Sequence, residues 1–295
     1  MRRQIIVVFF SLLCLALPPA WGTDRGALFK VTAYGHTMYL FGTMHVGQPE
    51  FYPLEPRIAA AVKGASTLAL EIDPAQNPAI AAQALKTYGM TSAGATRLAL
   101  SPAMRARLDR ALAKAGVDPE AVVQLKPWLV ATVLAMAEYG RQGYRTELSV
   151  DGYLSQMAHA SKVPVVGLES AASQMSLFNR LTMAEQVDFL EESIAQIETG
   201  KQGTEVSKIV NAWRTADQAA FEEIALRAAS DTSVSGKFVK NVLLEERNGA
   251  LAEKLAQLLE REANTVAAIG VLHLIGASSV PSLLGERGMA VERVY

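Results

Sequence analysis

Two histidines of this chain stand in the same short frame. Gly42-Thr43-Met44-His45 follows the apolar run Tyr39-Leu40-Phe41, and Gly270-Val271-Leu272-His273 follows Ala267-Ala268-Ile269. The chain has four histidines, so this repeated Gly-x-x-His uses half of them. Two carboxylates sit in matching places. Glu71 closes the run Ser66–Leu70, and Glu169 closes Val163–Leu168. Two imidazoles with one or two carboxylates suit a divalent cation that keeps a position open for water, and such a cation brings the pKa of that water towards neutrality. The same groups without a metal can run acid–base hydrolysis, with a histidine as base and a glutamate orienting it.

The elements that must position these groups are strands. A continuous apolar run of four to eight residues fits a strand covered on both faces. A glycine at its end lets the backbone turn sharply or approach another group closely. The polar residue just beyond then projects from the carboxyl edge of the sheet, where open α/β sheets bind their ligands. On this reading His45, Glu71, Glu169 and His273 come from four strand ends, and His45, Glu71 and His273 lie within roughly 10 Å of one another. Each glutamate also has a plainer reading, as a cap for the helix that follows it. His36 belongs to a two-residue hairpin loop, Gly35-His36, with glycine first. His159 lies on a helix that Asp151 can cap, away from any strand end.

Taken in order, the pattern predicts an α/β fold in a single domain over residues 23–295. Leu28–Ala33, Met38–Phe41, Ser66–Asp73, Val163–Ser170, Thr265–Gly270 and Met289–Val294 read as strands. Pro56–Lys63 reads as a helix closed by Gly64. Two large helical insertions are expected, at about 77–162 and 173–262. In the first, Ser101-Pro102 and Asp118-Pro119 are N-caps followed by proline at the first helical position. The second is expected to break near Gly200–Gly203 and Ser230–Gly236.

Residues 1–22 read as a signal peptide. Arg2-Arg3 precedes an apolar Ile5–Leu17 segment, and Ala20-Trp21-Gly22 offers small residues at alternate positions. The expectation is export to the periplasm or beyond, with no membrane attachment after cleavage. The chain's one cysteine, Cys14, falls inside that segment. The mature chain then has no disulfide and relies on its core. With 28 basic and 29 acidic residues and no basic block, nucleic acid is not an expected partner. His-Glu-x-x-His, Gly-x-Ser-x-Gly, Walker and Gly-x-Gly-x-x-Gly motifs are missing, which argues against zincins, α/β-hydrolases and nucleotide-binding enzymes.

Four stretches carry a family resemblance: Leu40–Gly47, Leu68–Glu71, Val163–Ser170 and Ile269–Gly276, with Glu246-Arg247-Asn248 as a fifth match. Together they resemble the TraB/PrgY/GumN family, whose animal relatives include the TIKI proteases. The resemblance implies a mixed central sheet with helices on its faces and helical insertions, similar to erythromycin esterases and the haem-binding ChaN protein. It implies a metal-dependent peptidase using His45, His273 and Glu71 with a divalent cation (Mn²⁺, Co²⁺ or Zn²⁺), and Glu169 in second place. Arg247, with Asn248 beside it, is expected either to hold a substrate carboxylate through a two-pronged contact or to cap a structural network. The expected partner is a peptide or small-molecule substrate. Two other functions stay open: a metal-free esterase-like hydrolase with His45 as base, and a protein that binds a peptide or haem without turnover.

Overall fold

The computed structural model describes residues 25–75 and 77–295. The expected signal peptide, residues 1–22, lies outside them. The strands are β1 (Leu28–Ala33), β2 (His36–Thr43), β3 (Thr67–Leu70), β4 (Val165–Gly167), β5 (Asn264–Gly270) and β6 (Ala290–Arg293). They form one mixed sheet in the order β4-β3-β5-β2-β1-β6. β4, β3, β5 and β2 run parallel, while β1 is antiparallel to both β2 and β6. The protein is thus α/β with a mixed sheet, as the alternation of strand and helix patterns predicts. The four parallel strands are those that end at His45, Glu71, Glu169 and His273, so all four residues leave the sheet at one edge.

β5 is the centre of the sheet. Val266, Ala267, Ala268 and Ile269 are fully buried, which is why its sequence is a continuous apolar run rather than an alternation. Burying one large aliphatic side chain of this kind contributes about 1.5–3 kcal/mol. Two pairs of helices pack on the sheet: Pro56–Lys63 with Val150–Ala160, and Arg247–Arg261 with Val280–Glu286. A separate apolar cluster joins helices Pro102–Ala115, Pro127–Arg141 and Met183–Glu198 through Leu108, Leu112, Val130, Leu134, Leu190 and Ile194. No helix among the described residues is long and apolar enough to cross a membrane.

Local readings hold at the caps. Ser101 and Asp118 accept hydrogen bonds from Met104 N and Glu120 N, as their Ser-Pro and Asp-Pro pairs predict. Three details differ. The hairpin loop is Tyr34-Gly35, one residue earlier than expected. Both residues have positive φ, 57° and 78°, the signature of a type I′ turn. His36 therefore opens β2, opposite Ala33, and its Nδ1 meets Leu259 O at 2.8 Å. The helical region after Glu169 has a break at Ala216 that the sequence reading did not place. Ala216 has φ 49°, and Asp217 then caps Gln218–Ser230 by accepting from Ala220 N. The gain of that cap offsets the cost of a left-handed alanine. Finally, Ser149 rather than Asp151 caps Val150–Ala160, which frees Asp151 for another contact.

Candidate functional site

The two Gly-x-x-His motifs lie side by side because β2 and β5 are parallel neighbours. Gly42 pairs with Ile269 and Thr43 with Gly270. The two glycines serve different ends, and neither has a positive φ. A Cβ on Gly42 would stand 2.8 Å from Val271 Cγ2 and 3.2 Å from Val271 Cα, so Gly42 lets the second motif cross close to the first. A Cβ on Gly270 would stand 3.1 Å from His45 Nε2 and 3.2 Å from Glu71 Oε1. Gly270 therefore keeps open the space between an imidazole and a carboxylate.

Three ring and carboxylate atoms face one another there. His45 Nε2 lies 3.7 Å from Glu71 Oε1, and His273 Nε2 lies 3.9 Å from the same oxygen. Gly270 N donates to that oxygen at 2.6 Å. The other ring nitrogens are tied back. His45 Nδ1 donates to Asp151 Oδ2 at 3.0 Å, and Thr43 Oγ1 donates to Asp151 Oδ1 at 2.7 Å. His273 Nδ1 meets Asn248 Oδ1 at 2.5 Å, and Asn248 Nδ2 donates to Ser278 O at 2.7 Å.

The second oxygen of Glu71 belongs to a charged network. Arg247 Nη2 donates to Glu71 Oε2, and also to Glu169 Oε2 at 2.5 Å. Arg247 Nε reaches Glu169 Oε1 at 3.0 Å. Gln174 Nε2 bridges the two glutamates, at 2.9 Å from Glu169 and 3.2 Å from Glu71. Arg247 and Asn248 are adjacent on one helix, yet one faces the carboxylates and the other faces His273. Of these groups His45 opens to solvent, with 63% of its side chain exposed, against 5% for Glu71 and 4% for His273. Access to the cluster is therefore past His45.

The electrostatics follow from these neighbours. Asp151 beside His45 raises its pKa to about 9, with Glu71 adding to the rise and Arg247 opposing it. Burial dominates at His273 and lowers its pKa to about 4, despite Glu71. Burial alone would push Glu71 up, but His45, His273, Arg247 and the Gly270 N–H together hold it at about 2. Arg247 is held above its ordinary value, because Glu169 and Glu71 outweigh its burial.

Among the described residues, no group of three or more His, Cys, Asp or Glu side chains is set as a metal-holding cluster. The donor types nevertheless fit a divalent ion: two imidazole nitrogens and a carboxylate oxygen around a space that a single Cβ at position 270 would fill. Donors about 2.1 Å from a tetrahedral ion lie about 3.4 Å apart, slightly closer than the 3.7 and 3.9 Å found here. Each Nδ1 is held by an oxygen acceptor, the usual arrangement behind a metal-ligating histidine.

The model of the TraB/PrgY/gumN family matches residues 27–293, nearly the whole chain. This protein belongs to the TraB/PrgY/gumN family. Two relatives accompany that match. The uncharacterized protein YbaP of Escherichia coli (strain K12) is 24% identical over 90% of this chain and 96% of its own, and YbaP of Shigella flexneri gives the same values. No solved structure matches this chain, so the likeness to erythromycin esterases and ChaN gains no support. The family motifs quoted from the sequence, from Leu40–Gly47 to Ile269–Gly276, are the strand ends of this sheet edge. Three contributors escaped the sequence reading: Asp151, Gln174 and Thr43. Asp151 had one faint signal. Ser149 and Asp151 are both acceptable N-caps for one helix start, and a helix needs only one. Gln174 had none.

Proposed function

We propose that this family member is a metal-dependent hydrolase of amide bonds, with peptides as the substrate class that its family resemblance implies. The observation that carries the proposal is the convergence of two Nε2 atoms on Glu71 Oε1 while both Nδ1 atoms are engaged elsewhere. Without a metal His45 carries a proton on Nε2 at neutral pH, its pKa being about 9, and a divalent cation would take that proton's place between the imidazoles and Glu71. Charge balance agrees. Arg247 pairs with Glu71 and Glu169 while Asp151 pairs with His45, so once an ion displaces the His45 proton three carboxylates stand against one guanidinium, leaving two negative charges for a divalent ion to neutralise.

His45, His273 and Glu71 would hold the ion, which when bound supplies Lewis acidity for a scissile carbonyl and for water. The chain's own residues do the rest. Arg247 and Gln174 hold Glu71 Oε2, so that Oε1 faces the imidazoles. Glu169 is bonded by Arg247 and Gln174 on both oxygens, which suits holding Arg247 rather than carrying protons. The doubly paired Arg247 likewise acts as a network cap rather than a substrate clamp. His45, on the open side, is where substrate arrives.

The test is hydrolysis of a diverse peptide pool by the purified protein. Activity should disappear with a chelator and return with Mn²⁺, Co²⁺ or Zn²⁺. Hydrolysis indifferent to chelator in protein shown to be metal-free would replace this reading with the metal-free hydrolase. Saturable binding of a peptide with no product at any metal concentration would replace it with a binding protein.

A further inference from the structure

The two imidazoles are held by different chemistry, and each holder is itself held. Asp151 is an acceptor only, so His45 Nδ1 must carry the proton in the 3.0 Å contact with Asp151 Oδ2. Thr43 Oγ1, at the end of β2, donates to the other carboxylate oxygen at 2.7 Å and stops the group from turning. On the second side, Ser278 O can only accept, so the Asn248 amide group must point Nδ2 towards it, at 2.7 Å. That leaves Asn248 Oδ1 facing His273, and His273 Nδ1 must be the donor across 2.5 Å. Thr43, Asp151, Asn248 and His273 are all buried, so water does not compete for these bonds.

We infer that Asp151 and Asn248 are positioning residues that keep Nδ1–H of both histidines engaged and aim both Nε2 atoms at Glu71. Two separate helices deliver them: Asp151 lies on Val150–Ala160 and Asn248 on Arg247–Arg261. Asp151 is surplus to the N-cap, which Ser149 supplies. Asn248 is buried and uses both ends of its amide, Oδ1 on His273 and Nδ2 on Ser278. The unequal choice of holders has a consequence. A carboxylate makes His45 the stronger donor towards a cation, whereas an amide keeps His273 a neutral ring in a buried place, where an added charge would go unpaired. This inference rests on the metal-site reading for one of its two tests and stands free of it in the other.

The first test is the dissociation constant for Zn²⁺ or Mn²⁺, measured by competition with a chelating dye on the full chain. Asp151→Ala should weaken binding about 10–100-fold, and Asp151→Asn should recover part of the loss because its amide oxygen still accepts from Nδ1. A purely structural Asp151 would lower the melting temperature and leave the dissociation constant unchanged, which overturns the assignment. The second test needs no metal. In chelated protein with ¹⁵N-labelled histidine at neutral pH, His273 should give the spectrum of a single Nδ1–H tautomer. Asn248→Ala should turn it into a mixture of tautomers. A His273 spectrum unchanged by Asn248→Ala overturns the assignment even if metal binds. A wild-type protein that binds neither ion, with the tautomer shift present, refutes the metal reading and keeps the positioning role.

Discussion

Gly42 and Gly270 occupy the same place in the two motifs, yet their surroundings predict opposite consequences for one added methyl group. At Gly270 the backbone has φ −52° and ψ 133°, which any L residue adopts, so alanine costs no strain there. Its Cβ would instead enter the space between His45 Nε2 and Glu71 Oε1, at 3.1 and 3.2 Å. Gly270→Ala should keep stability within about 1 kcal/mol of the parent and, on the proposed metal site, abolish metal binding. At Gly42 the Cβ would press on Val271, including its backbone Cα at 3.2 Å. Gly42→Ala should cost about 1–3 kcal/mol, the usual range for overpacking a filled interior, and lower metal content only through unfolding. Denaturant unfolding and elemental analysis on the two proteins check the pair. Metal retained in a folded Gly270→Ala protein would place the ion elsewhere.

The Arg247–Arg261 helix is the element on which the site depends most. It sends Arg247 to Glu71 and Glu169, and Asn248 to His273. It continues a π-helical stretch, Val239–Glu246, whose wider turn changes which faces its residues present. Removing the guanidinium in Arg247→Ala would leave two buried carboxylates facing each other. A loss of about 3–5 kcal/mol is expected, as for other broken buried pairs. Arg247→Lys should recover little of it, because one ammonium cannot reproduce the fork that spans both glutamates. Equal unfolding midpoints for Arg247→Lys and the parent protein would show that charge alone suffices. This helix also marks how far the sequence could be read. The strand ends were legible, because a period-two or continuous apolar run fixes where a strand stops, and the parallel sheet then brings His45, Glu71, Glu169 and His273 to one edge. The helix-borne partners were not. Which face of a helix Asp151 or Gln174 presents depends on packing against the sheet, and no local pattern encodes that. The hairpin was displaced by one residue because Tyr34 accepts a left-handed conformation that sequence preference assigns to glycine.

For the whole molecule, the paired charges at the sheet edge make stability depend on pH in a definite way. In chelated protein the His45 pKa is raised from 6.5 to about 9. Its contribution is therefore complete below about pH 6.5 and is lost as pH rises through 9. The His273 pKa is lowered from 6.5 to about 4, so its contribution is complete above about pH 6.5 and is lost as pH falls through 4. Glu71, lowered from 4.5 to about 2, adds a further loss as pH falls from 4.5 towards 2. For the two well-buried groups, His273 and Glu71, shifts of this size correspond to on the order of 3 kcal/mol each. The alkaline limb is shallower, because His45 is open to water and its attraction to Asp151 is partly screened. The expected profile is a maximum near pH 6.5, a steep acid side and a gentle alkaline side. Thermal melting in the presence of chelator, from about pH 2 to about pH 9.5, reads it directly. His45→Gln should flatten the alkaline side and leave the acid side in place, since His273 and Glu71 remain. A melting temperature that climbs steadily to pH 9.5 in the parent protein would show that Asp151 does not hold a charged His45, and that the carboxylates at this edge are balanced in some other way.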